Sequence, residues 1–92
     1  MITIKFERNK GRAAAYDSDK IIGESTFSDS KNLWIIDHTT VEDGYTGQGI
    51  AKQLVEAIVD AARQEGIQLT ATCPYALKLF SKSHDYDDVL LR

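Results

Sequence analysis

The sequence predicts an α+β fold, and three observations carry that reading. The first half either alternates apolar with polar residues or concentrates β-branched and aromatic ones, in four segments separated by short polar turns. A glycine-punctuated loop then leads into a segment with apolar residues at helical spacing. A short strand, a second helix and a short terminal strand complete the order. The length of 92 residues suits one small domain and leaves too little chain for a second core.

Residues 2–7 set Ile2, Ile4 and Phe6 against Thr3, Lys5 and Glu7, the period of a half-buried strand. Asn9-Lys10-Gly11 is a tight turn, with Gly11 free to take positive φ, into a strand over 12–16. Asp17-Ser18-Asp19-Lys20 is the next turn. Strands over 21–27 and 33–41 follow, separated by Ser28-Asp29-Ser30-Lys31-Asn32. Four strands with such short connections form an antiparallel meander. Over 50–65, Ile50, Leu54, Ala57, Ile58, Ala61 and Ala62 fall at helical spacing, with Arg63 in the last turn and Gly66 as the cap. Residues 68–72 read as a short strand, and 74 to about 82 as a helix carrying Leu77, Leu79 and Phe80. The end, residues 85–91, is acidic and then apolar, as a final short strand would be.

Composition narrows the function classes. Lysine and arginine number 11 against 14 aspartates and glutamates, a net charge of −3, so the basic surface that nucleic acid requires is not expected. A local field can still favour an anionic ligand. No stretch approaches the roughly 18 apolar residues of a membrane span, and no basic start with an apolar run marks a signal peptide. The single cysteine, Cys73, forms no internal disulfide, which fits a reducing, cytoplasmic setting. No metal is expected. A domain this small holds a sizeable ligand along its surface rather than inside it.

Gly47-Gln48-Gly49-Ile50-Ala51-Lys52 stands where a strand hands over to the long helix. Free backbone N–H groups and the positive end of the helix dipole converge there, as a phosphate site requires. Gly47 and Gly49 remove side chains from the backbone, and Lys52 adds charge one turn in. Gly44 and Gly49 have P-loop separation, but Ile50-Ala51 replaces the lysine and hydroxyl pair, so an NTPase is excluded. Lys52 at the third glycine position, after a meander, excludes the dinucleotide fingerprint. A glycine turn that merely opens a helix is the bland alternative.

Three motifs in order, His38-Thr39-Thr40-Val41, Gly47-Gln48-Gly49-Ile50-Ala51 and Cys73-Pro74-Tyr75, make the chain resemble the GNAT acetyltransferases, and among them the small Yjdj-type members. The resemblance covers nearly the whole chain. It implies a central mixed sheet and an acetyl-coenzyme A site with the pyrophosphate on N–H groups around Gln48, Gly49, Ile50, Ala51 and Lys52. Thr40, Val41, Thr46, Gly47, Cys73 and Lys78 join the implied coenzyme contacts. The pantetheine arm would lie where the 33–41 strand splays from the 68–72 strand. The superfamily's arginine or glutamine three residues before the first loop glycine is replaced here by Gly44. The two helices that follow the first strand in typical members are absent as well, which implies an open acceptor side suited to a peptide or protein amine.

Acetyl transfer from a thioester to an amine needs an amine deprotonated and a thiolate protonated. Cys73 precedes Pro74, at the start of a helix whose dipole favours negative charge, so it reads either as a nucleophile or as a small core residue. His38 reads as a general base or as a core histidine, since strict alternation sets it on the face of Trp34 and Ile36. Tyr75 reads as a proton donor or as packing. Lys78 and Lys82, four apart, meet the adenosine phosphate or face solvent, and His84 is a surface residue. The expected function is acetyl-coenzyme A-dependent N-acetyl transfer. The alternatives are a coenzyme A or acyl-coenzyme A binding module, self-acylating at Cys73, and an interaction domain without a ligand.

Overall fold

A computed structural model describes residues 1–91. Strands β1 (Ile2–Glu7), β2 (Arg12–Asp17), β3 (Lys20–Ser30) and β4 (Leu33–Val41) form the antiparallel meander. Helix α1 (Ile50–Glu65) crosses over to β5 (Gln68–Ala71), and helix α2 (Pro74–Lys82) follows. The sheet order is β1-β2-β3-β4-β5, and β5 pairs parallel with β4, so the sheet is mixed. The terminal strand expected over residues 85–91 contracts to one parallel bridge between Leu69 and Leu90.

The turns follow from their residues. Lys31 and Asn32, at φ 39° and 65°, close a two-residue hairpin. Ser28, Asp29 and Ser30 therefore remain in β3, opposite Ile35, Trp34 and Leu33. A 3₁₀ turn, Arg8–Lys10, ends at Gly11, whose left-handed backbone and N–H bond to the Arg8 carbonyl turn the chain into β2.

One face of the sheet carries the core. Ile50, Leu54, Val55, Ile58, Val59 and Ala62 of α1 are buried in one cluster with Ala13, Ala15, Ile22, Phe27, Trp34 and Ile36. Phe6, Phe27 and Trp34 pack together, with ring centroids 4.5 Å apart for Phe27 and Trp34. Ala76 and Phe80 of α2 enter the same cluster, as does Tyr86, whose hydroxyl donates to Glu56 of α1 at 3.0 Å. On the other face, the Thr3, Lys5, Ser28, Asp37 and Thr40 side chains are exposed.

The β3–β4 pairing contains a β-bulge. Thr26 lies opposite His38 but Phe27 lies opposite Ile36, so Asp37 is an inserted residue. The insertion reverses the facing of the rest of β4. Thr39, opposite buried Ser25, takes the interior side, and exposed His38 joins the open face.

Candidate active site

The β4–β5 pairing ends at Ile36 and Ala71. The N–H groups of Thr72 and Cys73 both donate to the Ile36 carbonyl, at 2.9 and 3.1 Å, and residues 37–41 of β4 then run on without a β5 partner. The pairing thus stops within the stretch of β4 where the resemblance puts the cleft.

At the far end of β4, a 3₁₀ turn (Asp43–Tyr45) leads to Thr46, Gly47 and Gly49. Gly47 and Gly49 hold left-handed backbones at φ 82° and 75°. A Cβ on either would meet nothing within 4 Å, so each opens onto free space. Gly49 is the N-cap of α1 and supplies no side-chain cap. The first helical bond runs from the Gln53 N–H to the Gly49 carbonyl at 3.2 Å. The N–H groups of Ile50, Ala51 and Lys52 are thus left for an outside acceptor. Ile50 and Ala51 border a cavity of ≈ 270 Å³ whose other walls are Val41, Tyr45, Thr46, the two glycines and Tyr75. These features fit an anionic, phosphate-bearing ligand.

Tyr75, near the start of α2, borders this cavity and a second hollow of ≈ 210 Å³ formed with Lys78, Leu79 and Lys82. Lys78 is thereby joined to the glycine cavity through the Tyr75 ring. Burial, then the nearby Glu56 and Cys73, push the Tyr75 phenol up, so it stays protonated at neutral pH. Gln48 and Lys52 are exposed at the loop and at the first turn of α1.

Cys73 is buried at the N-cap of α2, with Pro74 as the first helical residue. Its Sγ lies 3.4 Å from the Thr39 Oγ1, which is in turn 2.9 Å from the Ser25 Oγ. His38 does not share the face of Trp34 and Ile36, because the bulge at Asp37 moves it outward. It is exposed, and its side chain has no hydrogen-bond partner among the described residues. Asp37, beside it, accepts from Thr26 and from Ser28, the latter at 3.0 Å. Thr40 also faces outward and lines a separate hollow of ≈ 390 Å³ with Arg12, Ile21, Glu24 and Glu42. Val41 borders both cavities. His84 is 97% exposed in its side chain and pairs with Asp87.

Tyr45 as a wall of the cavity, and Thr39 as the partner of Cys73 and Ser25 rather than an orienting group for His38, escape a reading of the sequence. Tyr45 sits inside the glycine loop, which was a usable signal. For Thr39 the signal is a change of phase: the buried apolar residues of β4 are even-numbered at Trp34 and Ile36, whereas half-buried Val41 is odd, with a charged residue between them.

A mixed sheet whose fourth and fifth strands part beside a capless, glycine-opened helix is the GNAT arrangement. The chain belongs to the family of GCN5-related N-acetyl-transferases, whose model matches residues 12–89. Its fold superposes on the solution structure of a GCN5-like protein from Staphylococcus aureus with a TM-score of 0.77 at 32% identity, over 97% of this chain and 87% of that one. A second structure, the PaiA N-acetyltransferase of Thermoplasma acidophilum in complex with coenzyme A, gives a TM-score of 0.64. It is 16% identical, with 77% of this chain and 48% of that one covered, and so shares the fold alone. By sequence the chain is similar to Protein NATD1 of Bos taurus, 36% identical over 53 residues, or 58% of this chain and 47% of that protein. With Protein NATD1 of Homo sapiens it is 40% identical over 48 residues, 52% of this chain and 42% of that protein. The chain spans less than half the length of these curated relatives.

Proposed function

We propose that the protein transfers the acetyl group of acetyl-coenzyme A to an amine carried by a peptide or protein, as one minimal domain acting in the cytoplasm. The observation that carries this reading is the cavity at the start of α1, with three unspent N–H groups and two left-handed glycines, between the far end of β4 and Tyr75 of α2. N–H groups around Gln48, Gly49, Ile50, Ala51 and Lys52 hold the pyrophosphate, with Thr46 and Gly47 at the rim and Val41 along the wall. Lys78, with Lys82, meets the adenosine phosphate in the hollow beyond Tyr75. The coenzyme supplies the acyl group activated as a thioester.

The remaining work falls to side chains of this chain. An acceptor approaching the open face meets His38 first, one residue past the bulge where the cleft opens, and His38 takes the proton from the amine. Tyr75, protonated and bordering the cavity, returns a proton to the departing thiolate. Cys73 lies on the helix side of the cleft and packs against Thr39.

A second reading, a coenzyme-binding module that acylates itself at Cys73, is favoured by the thiol standing at the end of the cleft beside an acceptor face without enclosing helices. In that step the Cys73 sulfur gains the bond to the acyl carbon as the coenzyme sulfur loses it, and the thiol proton passes to the coenzyme. Calorimetry with acetyl-coenzyme A tests both readings: no heat at millimolar ligand overturns them together. An acetylation screen on a peptide array, with intact mass of the protein, then separates them. Acetylated peptides support transfer, and a stable adduct that Cys73→Ser abolishes, without peptide acetylation, supports the second reading.

A further inference from the structure

The loop between β4 and α1 carries Gly44, Gly47 and Gly49 and needs an external support. Gly44 gives none, since the space beyond it is empty to 4 Å. Among the described residues, two side-chain ties leave residues 42–49, and they end on Lys20 and Asp17, the strand residues that flank the β2–β3 turn. Glu42 faces Lys20 at 3.5 Å, with both side chains at least half exposed. Tyr45 donates its hydroxyl to Asp17 Oδ2 at 2.5 Å.

The second tie is the stronger and the better placed. Tyr45 is half-buried and lines the glycine cavity, so one ring is both its wall and its anchor. Asp17, the last residue of β2, sits on the rigid sheet, and its other oxygen lies 3.3 Å from the N-terminal amine. The bond holds the Asp17 carboxyl below its usual range and pushes the Tyr45 phenol up, as a hydrogen bond to a charged acceptor does.

We propose that Asp17 and Tyr45 are positioning residues for the coenzyme. They clamp the loop to the sheet so that the Tyr45 ring and the N–H groups from Gly49 onward are in place before the ligand arrives. The inference rests on the coenzyme reading given above. Preorganisation of this kind lowers the ordering cost of binding and leaves the chemical step alone, because neither side chain lies at the β4–β5 parting where the acyl group would react.

The test is coenzyme A calorimetry and acetyl-coenzyme A kinetics on the wild type, Tyr45→Phe, Asp17→Ala and the double variant. The phenylalanine keeps the wall and removes only the hydroxyl. Each single change should raise Kd and KM about five- to tenfold while kcat stays within about twofold. The double variant should bind no more weakly than the worse single one, because both remove one bond. Affinities within about twofold of wild type, additive losses, or an equal fall in kcat would each overturn the clamp. A wild type that binds no coenzyme removes the functional reading itself. A wild type that binds while both variants match it removes the clamp alone.

Discussion

Thr39→Val asks whether the bulge at Asp37 hands the interior position to Thr39. Ser25 is fully buried, and its hydroxyl meets the Thr39 Oγ1 at 2.9 Å. Valine keeps the shape of threonine and removes that oxygen, which strands the Ser25 hydroxyl away from water and deprives Cys73 of its 3.4 Å contact. An unpaired buried hydroxyl costs about 1–3 kcal/mol, and the weak thiol bond adds little. In a domain of this size each kcal/mol moves Tm by roughly 4–8 °C, so a loss of roughly 5–20 °C is expected. Strict alternation would instead leave residue 39 facing outward, where a substitution is worth within about 0.5 kcal/mol. Thermal and urea unfolding of Thr39→Val, Thr39→Ser, Ser25→Ala and the Ser25→Ala/Thr39→Val pair decide the matter. Serine should keep most of the stability, because it keeps the oxygen. The pair should lose less than the sum of its parts, because removing both hydroxyls strands neither. A Thr39→Val loss below about 0.5 kcal/mol, or strict additivity in the pair, would refute the reasoning.

Gly49→Ala places a methyl group in open space on a left-handed backbone, so it should cost about 1 kcal/mol in urea unfolding. The same methyl enters the proposed phosphate cradle, and the coenzyme A Kd from calorimetry should rise on the order of tenfold. His38→Ala should leave iodoacetamide alkylation of Cys73 within about twofold of wild type, since the two residues occupy opposite sides of β4, while amine acetylation falls about a hundredfold and recovers toward high pH. Tyr86 is pushed up to about 12 by burial and by its bond to Glu56. Its proton is held more tightly in the folded state than in the unfolded one, so this contribution is complete below about pH 10 and is lost as pH rises through about 12. Urea midpoints between about pH 9 and 11.5 should therefore fall more steeply for the wild type than for Tyr86→Phe.

Local periodicity made most of the fold legible, and its limits show where tertiary contacts decide. Helices α1 and α2 have the bounds their neighbours announce, between Gly49 and Gly66 and from Pro74 onward after Cys73. The expected end of β3 at Phe27 was too early, because a polar run looks like a turn whether or not its backbone is paired. Ser28 to Ser30 are paired with β4, and only Lys31 and Asn32 turn. The terminal strand contracts to a single bridge, in which the Leu69 N–H donates to the Val89 carbonyl and the Leu91 N–H to the Leu69 carbonyl, while Tyr86 is drawn to Glu56 and Phe80. In the candidate site, the glycine loop and Tyr75 line one cavity and Cys73 caps the helix that carries Tyr75, since each sits beside a strand or helix end whose place the order of elements dictates. The facing of His38 and the tie from Tyr45 to Asp17 were not legible. One depends on a single inserted residue, and the other on a contact between residues 28 apart.

That inserted residue also organises the chemistry under the proposed reaction. Without the bulge, His38 would have faced inward with Trp34 and Ile36, as Thr39 does now. With it, β4 becomes a partition: the thiol of Cys73 and the hydroxyls of Thr39 and Ser25 lie on the helix side, and His38 and Asp37 lie on the open side. A coenzyme entering from the glycine cavity and an amine arriving from the open face then meet where β4 parts from β5. The base is already on the acceptor's side of that meeting point, and the phenol of Tyr75 is on the coenzyme's. The net charge of −3 does not oppose this proposed arrangement, because the pyrophosphate would be met by backbone N–H groups, which carry no formal charge.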